Sequence, residues 1–195
     1  MSQKFKEIRL FNNLELRAIN EDEKEEKWVE GYAATYDDPT VLWEYDGVEY
    51  KEQIISGAFD EADMSDVIFN YNHRGKVMAR IRNKTLQLTI DHKGLFIRAR
   101  LDGTEEGRKL YEEIKGGYVD RMSFAFTVRE DSYDQEEHMR NIRKIKKIYD
   151  VSAVSQPAYE STSISARDYY TAQEEEAKRL ANEKRRKKLA LVARL

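Results

Sequence analysis

The stretch 117–126, "GYVDRMSFAF", holds one hydroxyl, that of Ser123, inside a run that otherwise suits a buried strand. A serine becomes a nucleophile when its hydroxyl is fixed in place, a base takes its proton and a third polar group orients that base. The bases available near neutral pH are His73, His92 and His138. His92 lies in the tight turn "DHKG" and His138 in the charged loop "DQEEHMR", where a solvated surface histidine is the ordinary reading. His73 directly follows the apolar run "VIFNYN". A position there is held by a rigid element yet can open into a cleft. A hydrogen-bonded histidine at a strand end fits the same spacing.

Strand alternation places Met122, Phe124, Phe126 and Val128 on one face, with Ser123, Ala125 and Thr127 on the other. The apolar wall faces the core. The opposite face is small and slightly polar, which is what a polypeptide backbone needs to approach a hydroxyl. An ordinary strand serine has the same surroundings. In "KIYDVSAVSQPAYE" the alternation puts Asp150 and Ser152 on one side together with Ile148 and Val154. An acid inside an apolar strand is costly unless paired. A histidine N–H is one partner; a nearby Lys or Arg, or water at a strand end, is another. Ser152 and Ser155 are rival nucleophiles without the small-faced setting of Ser123.

Other chemistries have less behind them. The chain has no cysteine, which removes disulfides, thiolate metal sites and a cysteine nucleophile and fits a reducing compartment. It has no HExxH or comparable zinc spacing, no phosphate loop and no dinucleotide fingerprint. With 37 acids, any pair of carboxylates is unspecific evidence for glycoside chemistry. The run "KRRKK" at 184–188 could touch nucleic acid, but a solvated helix end is the more common explanation of such a run, and a net charge of −3 gives no global field for an anionic partner. No apolar stretch approaches the roughly 20 residues of a membrane span, and "MSQKFKEIRLF" has no signal-peptide core. The chain reads as soluble and made in a cytoplasm.

The elements that must position these residues are mostly strands. "KFKEIRLF", "WVEGYAATY", "VIFNYN", "VMARIRN", "TLQLTID", "GLFIRARL", "MSFAFTV", "NIRKIKKIYD" and "VSAVSQPA" all carry strand patterns. Asp46-Gly47 and "DHKG" mark hairpins, and "NEDEKEEK" a charged loop or hairpin tip. "SGAFDEADM" suggests a short helix or turn begun by Ser56. "GTEEGRKLYEEIKGG" predicts a helix capped by Thr104 and ended by Gly116–Gly117. From about 168 the chain is rich in helix formers, acidic early and basic late, with sparse apolar positions. It predicts an exposed or partner-binding helix outside the core. The expected division is a domain over 1–167 and a charged helical tail over 168–195. The expected fold class is mostly β with α, a bent β-barrel of about six to eight strands wrapped by a few helices.

In order, "SGAFD", "NHRGKVMARI", a helix ending "GG", "RMSFAF" and "YDVSAVSQPAY" resemble the prohead serine proteases of tailed phages, over about residues 5–167. The resemblance implies a fold like that of the herpesvirus assembly proteases. It implies Ser123 as nucleophile, His73 as general base and acid, and Asp150 as third member, where the family more often has glutamate. It implies no metal or organic cofactor. The implied substrates are capsid-precursor or scaffold polypeptide and the protease itself, inside the phage prohead in the bacterial host cytoplasm or encoded by a prophage. It leaves room for a homodimer and implies no membrane or nucleic-acid partner. Backbone N–H groups near Ser123 or the Arg121 side chain are the candidates to meet an oxyanion. The other reading of the same fold is a catalytically silent scaffold or capsid-assembly module.

Overall fold

The computed structural model describes residues 6–20, 26–155 and 159–192. Ten strands and two helices occur among them. In chain order the strands are β1 (Glu7–Asn20), β2 (Lys27–Thr35), β3 (Thr40–Tyr45), β4 (Val48–Ile54), β5 (Ile68–Tyr71), β6 (Arg74–Arg80), β7 (Leu86–Ile90) and β8 (Gly94–Arg100), then β9 (Arg121–Asp134) and β10 (Met139–Val154). Helix α1 (Glu105–Lys115) separates β8 from β9, and α2 (Tyr159–Val192) ends the described chain.

The strands form one hydrogen-bonded path, β3-β4-β10-β9-β1-β2-β8-β7, with the β5–β6 hairpin attached to β10. The class is the expected one, mostly strands with helices. The path is open at β3 and β7, however, where a closed barrel was expected. β1 carries the bend. Its first half pairs with β9 through Leu10, its second half pairs with β2 from Leu16, and the register breaks between Leu10 and Glu15. Both halves of the path contribute to a single core, in which Val29, Leu95 and Ile97 join Phe59, Phe124, Phe126, Ile148 and Val151.

β10 is the spine of the site. β9 runs antiparallel along one edge, while the other edge is shared by β4, parallel at 139–142, and β5, parallel at 150–153. The two segments that the sequence suggested as separate strands are thus one strand, bent by bulges as its register against β9 shifts. α1 follows its sequence signals. Thr104 Oγ1 accepts from the Gly107 N–H, Glu105 and Glu106 fill the first turn, and Gly117 takes φ +74° just past the end. "SGAFDEADM" forms turns and no helix. The charged tip between β1 and β2 falls largely outside the described residues.

α2 begins at Tyr159, upstream of the expected boundary at 168, and is less detached than its composition suggested. Tyr170 is buried and donates to the Lys51 carbonyl, within an aromatic cluster of Trp43, Tyr50, Tyr133 and Tyr169. Only the following stretch, to residue 188, is mostly exposed. No helix among the described residues is long and apolar enough to cross a membrane.

Candidate active site

Residues paired on neighbouring strands point to the same side of a sheet. The pairings therefore set out two rows of side chains. Asn70 (β5), Ser152 (β10), Ser123 (β9) and Leu10 (β1) make the first, and Ile68, Asp150, Ala125 and Ile8 the second. Ser123 and Asp150 so lie on one face of adjacent strands, with Phe124 and Val151 on the other, in the core. Ile148 does not share the side of Asp150, as simple alternation suggested. A bulge between the two residues puts Ile148 opposite Phe126, on the core side. One extra residue in a strand reverses the facing of everything before it.

His73 comes from above these rows. Tyr71 pairs with Arg74, which leaves Asn72 and His73 as a two-residue turn between β5 and β6. Both have positive φ, 49° and 56°, as a type I′ turn requires. Asparagine suits the first position; the second favours glycine, and a histidine there is strained. The Asn72 N–H donates to the Ala153 carbonyl at 2.9 Å and ties the turn to β10.

The turn aims the imidazole between the rows. Nδ1 is 2.5 Å from Asp150 Oδ1, and Nε2 is 2.7 Å from Ser123 Oγ. Burial pushes the Asp150 carboxyl up, but hydrogen bonds from His73 and Lys6 more than offset this, and its pKa lies below the ordinary aspartate value. Lys6 Nζ is 2.8 Å from Oδ2. An ionised Asp150 only accepts, so Nδ1 carries the proton and Nε2 of a neutral ring is left to receive one from Ser123. Ser123 Oγ also lies 2.8 Å from the Arg9 carbonyl oxygen. Its single proton has two acceptors: Nε2 when the ring is neutral, and Arg9 when both ring nitrogens are protonated. The site is enclosed, with Ser123 2% exposed and the His73 side chain 7%.

The Arg9 side chain fixes β1 beside the nucleophile. Its Nε is 2.6 Å from Glu52, which Arg140 also meets at 2.8 Å; Arg140 in turn pairs with Glu7 and Asp131. Burial pushes Glu52 up, but the two guanidinium charges outweigh it and hold its carboxyl below the ordinary glutamate range. A buried carboxylate with two arginines on it is strongly destabilising to break, so the backbone of β1 is held at its place against β9.

The other sequence candidates fall elsewhere. His92 is exposed in its turn. His138 is not simply solvated. It is partly buried, with Nδ1 3.0 Å from the Tyr133 hydroxyl and its ring against Tyr50. Ser155 is exposed and its N–H meets Asn72 Oδ1. Ser152 is fully buried and bonded to Asp150, on the Nδ1 side of the ring and away from Nε2. Arg121 precedes Ser123 by two residues, half exposed, with Asp120 at 3.9 Å. No group of three or more His, Cys, Asp or Glu side chains among the described residues could hold a metal ion. Lys6, Arg9 and Asn70 were not singled out by sequence. Asn70 was detectable as an amide within an apolar strand; Lys6 and the Arg9 carbonyl reach the site only through the β1–β9 pairing, which has no local signature.

Serine, histidine and aspartate linked in this order, on a mostly β scaffold, are the equipment of acyl transfer. The chain belongs to the Caudovirus prohead serine protease family, whose family model matches residues 12–177, a span that includes all three. A comparison with curated proteins finds no match. Among solved structures, the capsid assembly protease gp21 of bacteriophage T4 is similar at 14% identity and a TM-score of 0.49, over 80% of this chain and 98% of that one.

Proposed function

We propose that this protein is a serine endopeptidase that cleaves capsid-precursor or scaffold polypeptide, and itself, during prohead maturation. The observation that carries the reading is the continuous hydrogen-bond chain Asp150–His73–Ser123. Family membership supports a serine peptidase and the capsid setting. Neutral His73 accepts the Ser123 proton as Oγ attacks a peptide carbonyl, and Asp150 holds the tautomer and stabilises the imidazolium. His73 then protonates the leaving amine, and water hydrolyses the acyl-enzyme by the same base. Each proton transfer is supplied by a side chain, and no step calls for a metal or organic cofactor. Backbone N–H groups near Ser123, or Arg121 two residues earlier on the same side of β9, are the candidates to meet the oxyanion. Substrate inside an immature shell places the enzyme in the prohead within the host cell. The exposed charged part of α2 is suited to tether it to scaffold or coat protein.

One observation favours the silent-module reading: Ser123 is almost fully buried, so little of it is open to a substrate. Coexpression with the cognate coat precursor separates the two. The wild type is expected to process the precursor and Ser123→Ala to leave it intact, since losing the nucleophile typically removes several orders of magnitude in rate. Equal processing by both would sink the nucleophile assignment, and none by either would favour the silent module.

A further inference from the structure

We propose that Ser152, backed by Asn70, is a positioning residue for the histidine–aspartate pair, and that its hydroxyl sets the orientation of Asp150 on which the proposed acyl transfer rests. Ser152 is 0% exposed and Asn70 5%, side by side on adjacent strands in the row that also holds Ser123. Buried polar groups at that depth need partners, and here the partners are those of the site. Ser152 Oγ lies 2.9 Å from Asp150 Oδ1, 3.1 Å from His73 Nδ1 and 2.5 Å from the Asn70 amide oxygen.

Counting protons fixes how the chain runs. Ser152 has one hydroxyl proton, and Asp150 Oδ1 and the Asn70 oxygen both ask for it. The two ends of an asparagine amide are nearly equivalent in shape. With its NH₂ turned toward Ser152, Asn70 donates to Oγ, Ser152 donates to Oδ1, and His73 Nδ1–H donates to the same Oδ1. Asp150 Oδ1 then receives both the Ser152 and the His73 protons. With the oxygen turned toward Ser152, the proton goes to the amide and Asp150 loses a donor. The first arrangement is a relay across two strands, from Asn70 on β5 to Ser152 and Asp150 on β10, ending at the atom that holds the imidazole.

Asp150 needs this support. It follows the β10 bulge, where the ladder is irregular. Its other oxygen is held by Lys6, whose side chain is 45% exposed and long. His73 itself hangs from a two-residue turn, and its ring nitrogens meet Asp150, Ser123 and Ser152. Among the described residues, Ser152 is the buried donor to Oδ1 on the strand itself.

The test compares wild type with Ser152→Ala, Ser152→Thr and Asn70→Ala in the full chain. Two readouts are used: the far-downfield proton resonance of the short His73 Nδ1–H···Asp150 bond, and kcat and KM on coat-precursor peptide. Ser152→Ala is expected to lose or shift the resonance and to lower kcat about 10- to 100-fold, the effect of one hydrogen bond to a charged group, with KM unchanged. Ser152→Thr, which keeps the hydroxyl, restores both. Asn70→Ala moves both in the same direction by less. A resonance and kcat unmoved in Ser152→Ala, or a change in KM alone, overturns the proposal while leaving the peptidase reading intact. If the wild type cleaves nothing, that reading fails separately and the resonance, which needs no substrate, still decides. Should Ser152→Ala not fold, an unmoved resonance in folded Asn70→Ala overturns the proposal.

Discussion

His73 occupies the second position of a type I′ turn at φ 56°, where a side chain costs energy and glycine does not. Comparing His73→Ala with His73→Gly isolates that cost. Both variants remove the imidazole and strip Asp150 and Ser123 of the same partner, so those losses cancel in the difference. What remains is the Cβ. In an ordinary strand, glycine is the worse residue by roughly 0.5–1 kcal/mol, through its larger unfolded-state entropy. In the left-handed region a Cβ costs roughly 1–2 kcal/mol, so the order inverts here and His73→Gly should be the more stable by about 0.5–1 kcal/mol. For a chain of this size that is about 1–4 °C in Tm. Urea unfolding followed by circular dichroism reads the difference as a shift of the midpoint at constant m-value. Neither variant should process coat precursor. If His73→Ala equals or exceeds His73→Gly in stability, the turn is not strained as described, and the claim that the backbone bears a cost to present the base is wrong. The comparison separates backbone strain from catalysis, which a single His73 variant cannot do.

Acid should unfold the protein through its buried carboxylates. Asp150 and Glu52 are both held below their ordinary values, so the stability they contribute is complete above about pH 4.5 and is lost as pH falls through their lowered folded values; a stability flat from pH 5 to 2 would contradict this. Base should release α2. Burial, the first cause in each case, pushes Tyr133 and Tyr169 up to about 12, so the stability of their neutral forms is complete below the unfolded value near pH 10 and lost as pH rises toward those values. Tyrosinate absorbance should then rise together with loss of the aromatic circular dichroism signal, and simple titration near pH 10 with no loss of packing would refute the docking. A chain ending at Arg167 lacks Tyr169 and Tyr170 and should melt about 5–10 °C lower, from roughly 2–3 kcal/mol of lost aromatic burial. One ending at Lys178 should melt as the full chain does, and equal melting of both would place the anchor elsewhere.

Much of this protein is local in origin. The Asp46-Gly47 and "DHKG" hairpins and the Thr104-capped α1 follow from residues within a few positions of one another, because turn chemistry and capping act over that range. The facing of Ser123 away from Phe124 and Phe126 is equally local, a consequence of strand period alone. His73, Ser123 and Asp150 stand out by residue type, and the order of the motifs around them resembles that of a known family. Their assembly was not local. It depends on β5 pairing parallel to the far half of β10, on the single bulge that turns Ile148 from Asp150, and on the positive φ of His73. The side-chain contacts so assembled join residues 50 to 144 positions apart, and no local propensity encodes such pairings. The same holds for Tyr170, whose burial its charged neighbours concealed, and for β1, which a buried arginine–glutamate cluster draws against the nucleophile. The sequence by itself determined the elements, the face of the serine and the chemical types present. Tertiary structure alone decided which of three histidines meets which of several serines, and whether the sheet closes, because register and bulges are set by how the whole core packs.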